Sequence, residues 1–174
     1  SLGLVGSEMC IRDRIKRAYL IYGEEKYLVR NIKDKLIKAI VNDGDNMNFS
    51  KFSGKDCNEK QIIDLAETLP FLAQYRVILM EDTGWFKSAN EDMANYIAEI
   101  PEDTVLVFIE NEVDKRNRLY KQVKSNGYVC ECGRMNKSDL SKWILVRLKK
   151  ENKNIARDNM DYLLDKLGDC LLYT

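Results

Sequence analysis

The stretch that decides the fold runs from Ala18 to Arg30 and reads Ala-Tyr-Leu-Ile-Tyr-Gly-Glu-Glu-Lys-Tyr-Leu-Val-Arg. The apolar run that ends at Gly23 predicts a buried strand, and the spaced apolar side chains after the glycine predict a helix. A strand, a glycine turn and a helix start form the setting in which phosphate-binding loops occur. The segment therefore predicts the first unit of an α/β domain.

The residues that hold a phosphate are missing from this setting. A phosphate-binding loop reads G-x-x-x-x-G-K-[ST], in which the lysine contacts the terminal phosphates and the hydroxyl group binds Mg²⁺. Counted from Gly23, the last three places hold Leu28, Val29 and Arg30. We therefore predict a degenerate phosphate loop without a bound cofactor, in an interaction subunit rather than an ATPase.

Strand and helix patterns alternate five times along the chain, up to residue 132. Short apolar runs predict the strands, and helical spacing of apolar residues predicts the helices between them. This order predicts a five-stranded parallel sheet flanked by helices on both faces. The predicted strands cover residues 18–22, 47–52, 76–80, 104–109 and 128–132.

The pattern changes after Gly133, where two amphipathic helices follow without an intervening strand. We therefore expect an α/β domain over residues 15–136 and the first helices of a truncated helical domain over 137–169. Residues 1–14 and 170–174 resemble translated sequencing-adapter sequence. We expect these two segments to be non-native, and we expect residues 1–14 to pack against nothing.

Composition restricts the function classes. The chain has 174 residues, and its 28 basic side chains balance its 28 acidic ones, so no overall field attracts nucleic acid or an anionic membrane. No apolar run approaches the roughly 20 residues of a membrane helix. We expect a soluble, intracellular protein that does not act at a membrane.

Cysteine and histidine usage argues against metal and nucleophile chemistry. Five scattered cysteines and no histidine fit neither a disulfide framework nor the common zinc patterns. Cys130 and Cys132 point to the same face of a strand, so a two-thiolate metal site is one reading of this pair. Buried free thiols are the favoured reading, because no second pair supplies the remaining ligands.

Four ordered segments together resemble the delta subunit of bacterial DNA polymerase III. The resemblance covers residues 15–169, and the ordered set is more specific than any one segment. The segments are Tyr-Leu-Ile-Tyr-Gly-Glu-Glu at 19–25, Thr-Leu-Pro-Phe-Leu-Ala-Gln-Tyr-Arg-Val-Ile-Leu-Met at 68–80, Asp-Lys-Arg-Asn-Arg-Leu-Tyr-Lys at 114–121 and Leu-Ser-Lys-Trp-Ile at 140–144.

This resemblance implies an AAA+-like clamp-loader subunit. Such a subunit has a P-loop-type α/β domain, a helical lid domain and a C-terminal collar, which would be missing here. It implies a cytoplasmic replication protein that hydrolyses no ATP itself, belongs to the polymerase holoenzyme, and binds and opens the beta sliding clamp. The implied partners are the clamp, primed DNA, and the gamma/tau and delta-prime subunits through the collar.

The resemblance places the clamp contact at Phe71 and Leu72, flanked by Leu69 and Pro70. The residues themselves fit this role, because a proline that ends a helix leaves two large apolar groups near a surface turn. An aromatic and an aliphatic side chain that fill a partner's pocket are typical of interface hot spots. The alternative from the residues alone is that both side chains belong to the core.

Charged groups give two weaker signals. Lys115, Arg116, Arg118 and Lys121 form a basic cluster that suits DNA phosphates, although a solvated helix face is the favoured reading for any single residue. Glu81-Asp82 after one strand and Asn111 after the next also occupy positions that hold Mg²⁺ and a polar sensor in ATPases. An active NTPase with an unusual phosphate loop and a generic α/β scaffold therefore remain alternative functions. ATP binding and clamp binding, respectively, separate them from the clamp-loader interpretation.

Overall fold

Five parallel strands form one sheet in the computed structural model, which describes residues 15–167. The lateral order of the strands is β2-β3-β4-β1-β5. The predicted five-stranded parallel sheet is therefore confirmed. The strands are β1 (Ala18–Tyr22), β2 (Phe49–Ser53), β3 (Arg76–Glu81), β4 (Thr104–Glu110) and β5 (Tyr128–Glu131).

Helices connect the strands and continue after the last one. The third of these helices ends at Tyr96, because the backbone N–H groups of Ala98 and Glu99 bond to carbonyls three residues back and tighten the chain into a turn. The helices are α1 (Lys26–Ile40), α2 (Glu59–Ala66), α3 (Glu91–Tyr96), α4 (Arg118–Asn126), α5 (Lys137–Lys150) and α6 (Arg157–Leu167).

One face of the sheet packs against α2, α3 and α4. Alternate residues of each strand point to this face, as the period of two in a strand requires. The rings of Phe86 and Phe108 meet edge to face with centroids 5.2 Å apart at its centre. Other members of this core are Leu20, Ile62, Ile78, Met80, Met93, Leu106 and Leu119, all buried.

The opposite face packs against α1, α5 and α6. Tyr27 of α1 and Trp143 of α5 meet edge to face with ring centroids 5.6 Å apart. Asn136 caps α5, since its Oδ1 accepts a hydrogen bond from the Asp139 N–H at 2.8 Å. Buried members of this second core include Tyr19, Ile21, Leu28, Val77, Val107, Leu140 and Met160.

Parallel strands give the sheet two chemically different edges. All five strands begin at one edge and end at the other. The amino edge, as used below, consists of residues 45–48, which lead into β2, and 67–75, which lead into β3. The carboxyl edge consists of residues 23–25, 81–83, 110–111 and 131–133, which follow strand ends.

Candidate functional site

The segment between α2 and β3 exposes a group of large apolar side chains. Leu69, Phe71 and Leu72 are 75%, 57% and 91% exposed, and Pro70 between them is half-buried. The alternative that Phe71 and Leu72 belong to the core is therefore wrong. Three large apolar groups on one short loop are an unusual feature, because soluble proteins rarely leave such groups adjacent without a partner.

Buried Asn48 holds the backbone of this loop. Its Oδ1 accepts a hydrogen bond from the Phe71 N–H at 2.6 Å, and its Nδ2 donates to the Phe71 carbonyl at 2.8 Å. The same Nδ2 donates to both carboxylate oxygens of Asp45 at 3.1 and 2.8 Å. Hydrogen bonds from the Asn48 side chain and backbone hold the pKa of Asp45 below its usual value. The loop backbone is thus tied to the start of β2.

Arg76, the first residue of β3, holds the other end of the loop. Its side chain is buried, with Nε donating to the Thr68 carbonyl at 2.7 Å and Nη2 to the Leu69 carbonyl at 3.1 Å. Nη1 lies 3.5 Å from the Met47 carbonyl. The guanidinium group is satisfied by carbonyl oxygens of both amino-edge segments, which fixes the two segments relative to each other.

Leu72 adopts a left-handed backbone conformation with φ of 53°. This region costs a bulky aliphatic residue about 1 to 3 kcal/mol and is found where the surroundings enforce it. The hydrogen bonds of the preceding Phe71 supply that enforcement. The fold therefore keeps a costly backbone conformation at the most exposed apolar side chain of the loop.

Met47 is an exposed apolar residue that the sequence patterns did not single out. It is 66% exposed, although the alternating pattern predicts a strand from this position. The carboxylate of Asp45 accepts hydrogen bonds from the backbone N–H groups of Met47 and Asn48 at 3.1 and 3.0 Å, so a turn precedes β2. Aspartate two residues before an apolar residue is the local signal for such a turn.

At the carboxyl edge, the chain's own backbone occupies the position of a phosphate loop. The Cys132 carbonyl accepts a hydrogen bond from the Glu25 N–H at 3.1 Å, and the Cys132 N–H donates to the Tyr22 carbonyl at 2.7 Å. A Cβ added to Gly23 would lie 2.1 Å from the Cys132 oxygen. Gly23 therefore permits the close approach of Cys132, the residue that follows β5.

The three residues predicted at phosphate-gripping positions lie inside α1. Leu28 and Val29 are buried in the second core, and Arg30 is exposed, with its Nε 3.9 Å from an Asp34 oxygen. Only Gly23, Glu24 and Glu25 separate β1 from α1.

Acidic groups at this edge are engaged with groups of the chain itself. Glu81 accepts bonds from Lys33 and Lys51 at 2.9 and 2.7 Å. Burial acts to raise the pKa of Glu81, but these two ammonium groups hold it below the usual value. The Asn111 amide donates to the Asp82 carboxylate at 2.6 Å. The pair that suggested a Mg²⁺ site is therefore held by lysines and an amide.

Glu110, at the end of β4, is buried. Burial raises its pKa, although the backbone N–H and the hydroxyl group of Thr83 donate to Oε1 at 2.9 and 2.5 Å. A carboxyl group in this position favours its neutral form more than it would in water. The carboxyl edge thus contains a carboxyl group, that of Glu110, whose charged form is disfavoured by burial.

The basic residues of the predicted DNA cluster lie at the start of α4 and just before it. Lys115 bonds to Glu131 at 2.7 Å, Arg116 to Asp114 at 3.0 Å, and Arg118 forms an ion pair with Glu91. Lys121 is exposed on the same helix. Three of the four cations therefore have carboxylate partners within the chain, which weakens their attraction for phosphate groups.

Cys130 and Cys132 are buried free thiols, as favoured from the sequence. The hydrogen bond between the two thiols and burial raise the pKa of Cys132. Cys10 and Cys170 lie outside the described residues, as do the segments 1–14 and 170–174 expected to be non-native. Within residues 15–167, no three His, Cys, Asp or Glu side chains are arranged to hold a metal ion.

The helices that the structure describes lack the features of membrane-spanning helices. None of the helices between residues 15 and 167 combines the length and the apolar composition that a bilayer span requires.

Comparison with known proteins gives a consistent result. A sequence model described as DNA polymerase III, delta subunit, matches residues 19–133. The chain is 23% identical over 165 residues to DNA polymerase III subunit delta of Bacillus subtilis, covering 88% of this chain and 48% of the relative. It is 22% identical to a probable DNA polymerase III subunit delta of Aquifex aeolicus, covering 88% of this chain and 46% of that relative.

A solved structure shares the fold. The DNA clamp loader delta protein of Bacillus subtilis superposes with a TM-score of 0.77 at 20% identity, covering 92% of this chain and 51% of that one. The five-stranded parallel sheet flanked by helices is the common element. The chain spans about half the length of the curated relatives that it matches.

Proposed function

Because the chain belongs to the DNA polymerase III delta-subunit family, we propose that it is part of a clamp-loader subunit that binds the ring-shaped sliding clamp in DNA replication. The amino-edge loop is the contact element, with Phe71 and Leu72 as the main anchors and Leu69 and Pro70 beside them. One observation carries this proposal. Three large apolar side chains are exposed on a loop whose backbone is fixed by buried Asn48 and Arg76.

We further propose that this contact opens the ring. A protein opens a ring only if it binds the open form more tightly than the closed form. Apolar anchors that fill a pocket supply binding energy at few residues. A loop held by seven hydrogen bonds of Asn48 and Arg76, counting those to Asp45 and Met47, loses little conformational freedom on binding.

We also propose that the chain itself neither binds nor hydrolyses ATP. The short Gly23–Glu25 connection and the Cys132 carbonyl on the Glu25 N–H support this proposal. Phosphoryl transfer needs a lysine and a Mg²⁺ ligand at the phosphates. The corresponding positions hold Val29, which is buried in α1, and Arg30, which is exposed on it. Carboxylates at Glu24 and Glu25 would repel a nucleotide further. An active NTPase is therefore the less favoured alternative.

The remaining partners are proposed for the assembled loader. The gamma/tau and delta-prime subunits would join through a collar beyond this chain, and primed DNA would pass near Lys115, Arg116, Arg118 and Lys121. The intramolecular ion pairs of three of these cations argue for a modest DNA contribution. We place the protein in the bacterial cytoplasm at the replisome.

Calorimetric titration of the chain into purified beta clamp tests the proposal. We expect saturable binding to the clamp and no heat of binding when ATP and Mg²⁺ replace it. Clamp affinity should be unaffected by Leu145→Ala, which removes an exposed apolar side chain of α5 far along the chain from the loop. A folded chain that does not bind the clamp would leave the generic scaffold as the better interpretation. Micromolar ATP affinity would favour the NTPase.

A further inference from the structure

We propose that the turn Asp45–Asn48 is the second half of the clamp-binding surface, with Met47 as an additional anchor and Asn48 as the residue that positions the loop. This inference rests on the proposed function. It assigns roles to residues about 25 positions away from Phe71 and Leu72, a separation that the hydrogen bonds between Asn48 and Phe71 bridge directly.

The exposed apolar residues of the chain support the first part. Seven large apolar side chains are exposed among the described residues, and four of them lie on the two amino-edge segments. Three belong to the loop, and the fourth is Met47. The remaining three, Leu145, Val146 and Tyr162, lie on α5 and α6.

Shared contacts place Met47 beside the loop. The guanidinium group of Arg76 lies 3.5 Å from the Met47 carbonyl and 3.1 Å from the Leu69 carbonyl. The backbones of Met47 and Leu69 therefore both contact the Arg76 side chain, and both residues lie at the amino edge of the sheet. A flexible thioether side chain suits the margin of such a surface, because methionine adapts its shape to an uneven partner.

Asn48 acts through Phe71 rather than on the partner. It is 3% exposed, so a docked protein would not touch it. Its amide binds both backbone groups of Phe71, which fixes the direction of the side chains on either side. Without these bonds the loop would sample other conformations and would have to be ordered on binding, at a cost in affinity.

The role of Met47 is tested by titrating Met47→Ala into purified beta clamp. We expect affinity to fall about tenfold, a change of about 1.4 kcal/mol. The unfolding midpoint should change little, because the side chain is already exposed. The matched control is Leu145→Ala, which also removes an exposed aliphatic side chain and should leave clamp affinity unchanged. An affinity for Met47→Ala within twofold of the original would overturn this part.

Asn48 is tested with a double-mutant cycle that includes Leu72→Ala. We expect Asn48→Ala to weaken clamp binding at least about tenfold at a temperature where circular dichroism shows a folded chain. In the Leu72→Ala background the same change should cost less than about threefold, because coupled residues are not additive. Equal losses in both backgrounds, or a lowered unfolding midpoint with unchanged affinity, would show a structural role only.

A second variant keeps the inference testable if Asn48→Ala does not fold. Asp45→Ala removes the carboxylate that orients the Asn48 amide and leaves Asn48 in place. It should weaken clamp binding a few fold. In the Leu72→Ala background the same substitution should weaken binding less, as expected for Asn48→Ala. Absence of clamp binding by the unaltered chain would defeat the proposed function. If the chain binds the clamp but substitutions at residues 45, 47 and 48 leave the affinity unchanged, this inference is wrong and the proposed function stands.

Discussion

The two edges of the sheet differ in which of their groups already have partners within the chain. At the carboxyl edge, the N–H of Glu25 is bonded to the Cys132 carbonyl, and Glu81 is paired with two lysines. At the amino edge, the backbone of the loop is equally well bonded, but its apolar side chains remain exposed. One edge therefore offers a ligand few groups, and the other offers a prearranged apolar surface.

This difference shows that the two edges of one parallel sheet can present different chemical groups. The sheet order and the helix after β1 are present, yet the connection at Gly23 is closed by β5. Binding ability depends on unsatisfied groups at an edge rather than on the fold itself. The following four predictions test the two edges separately.

The largest effect is expected at the amino edge. Phe71→Ala combined with Leu72→Ala should reduce clamp affinity at least about a thousandfold, because each hot-spot side chain contributes about 2 kcal/mol or more. Since both side chains are exposed, the unfolding midpoint should change little. The matched control is Leu145→Ala with Val146→Ala on α5. Retained affinity in the loop variant, or equal loss in the control, would contradict the assignment.

The next effect concerns the carboxyl edge. Gly23→Ala should lower the free energy of unfolding by about 3 kcal/mol, because its Cβ would collide with the Cys132 backbone. Gly44→Ala is the control, since Gly44 also has a positive φ but has no heavy atom within 4 Å of an added Cβ. It should cost about 1 kcal/mol from backbone strain alone. Equal losses in urea unfolding would show that β5 does not close this edge.

A smaller effect separates stability from binding at the loop. Leu72→Asn should raise the free energy of unfolding by up to about 1 kcal/mol, because asparagine tolerates the left-handed conformation better than leucine. The same change should weaken clamp binding. Thermal unfolding and clamp titration of this one variant measure both quantities. A destabilised variant would show that the left-handed conformation carries no strain.

The smallest effect depends on pH. Burial raises the pKa of Glu110 above its ordinary value of 4.5, so stability falls as the pH rises from 4.5 through the folded-state pKa and the full cost of the charged form is present above it. Glu110→Gln should therefore raise the unfolding midpoint slightly at neutral pH. The gain should disappear below pH 4.5, where the unfolded chain also holds the proton. A gain that is independent of pH would assign the effect to packing.

Much of the fold follows from local patterns in the sequence. Apolar runs and helical spacing identified five strands and the two helices after Gly133, because these signals depend on neighbouring residues alone. Strand β2 starts at Phe49 rather than Met47, since the Asp45 carboxylate bonds to the next backbone groups and forms a turn. A local side-chain bond thus overrode the alternating pattern.

The site itself could be predicted only in part. Two apolar residues after a helix-ending proline, with the family resemblance, identified the loop at Phe71. The residues that hold it could not be found this way, because Asn48 lies 23 residues away and meets Phe71 only through the pairing of β2 with β3. The contact between Gly23 and Cys132 is likewise a consequence of the strand order.

Hydrogen exchange of the unaltered chain, measured alone, with purified clamp, and with ATP and Mg²⁺, tests the contrast between the edges most directly. Bound surfaces and newly ordered segments exchange more slowly. We predict that the clamp slows exchange in residues 45–48 and 67–75, and that ATP changes nothing in residues 23–28 and 131–133. The account would be contradicted if ATP slowed exchange at the carboxyl edge and the clamp left exchange at the amino edge unchanged.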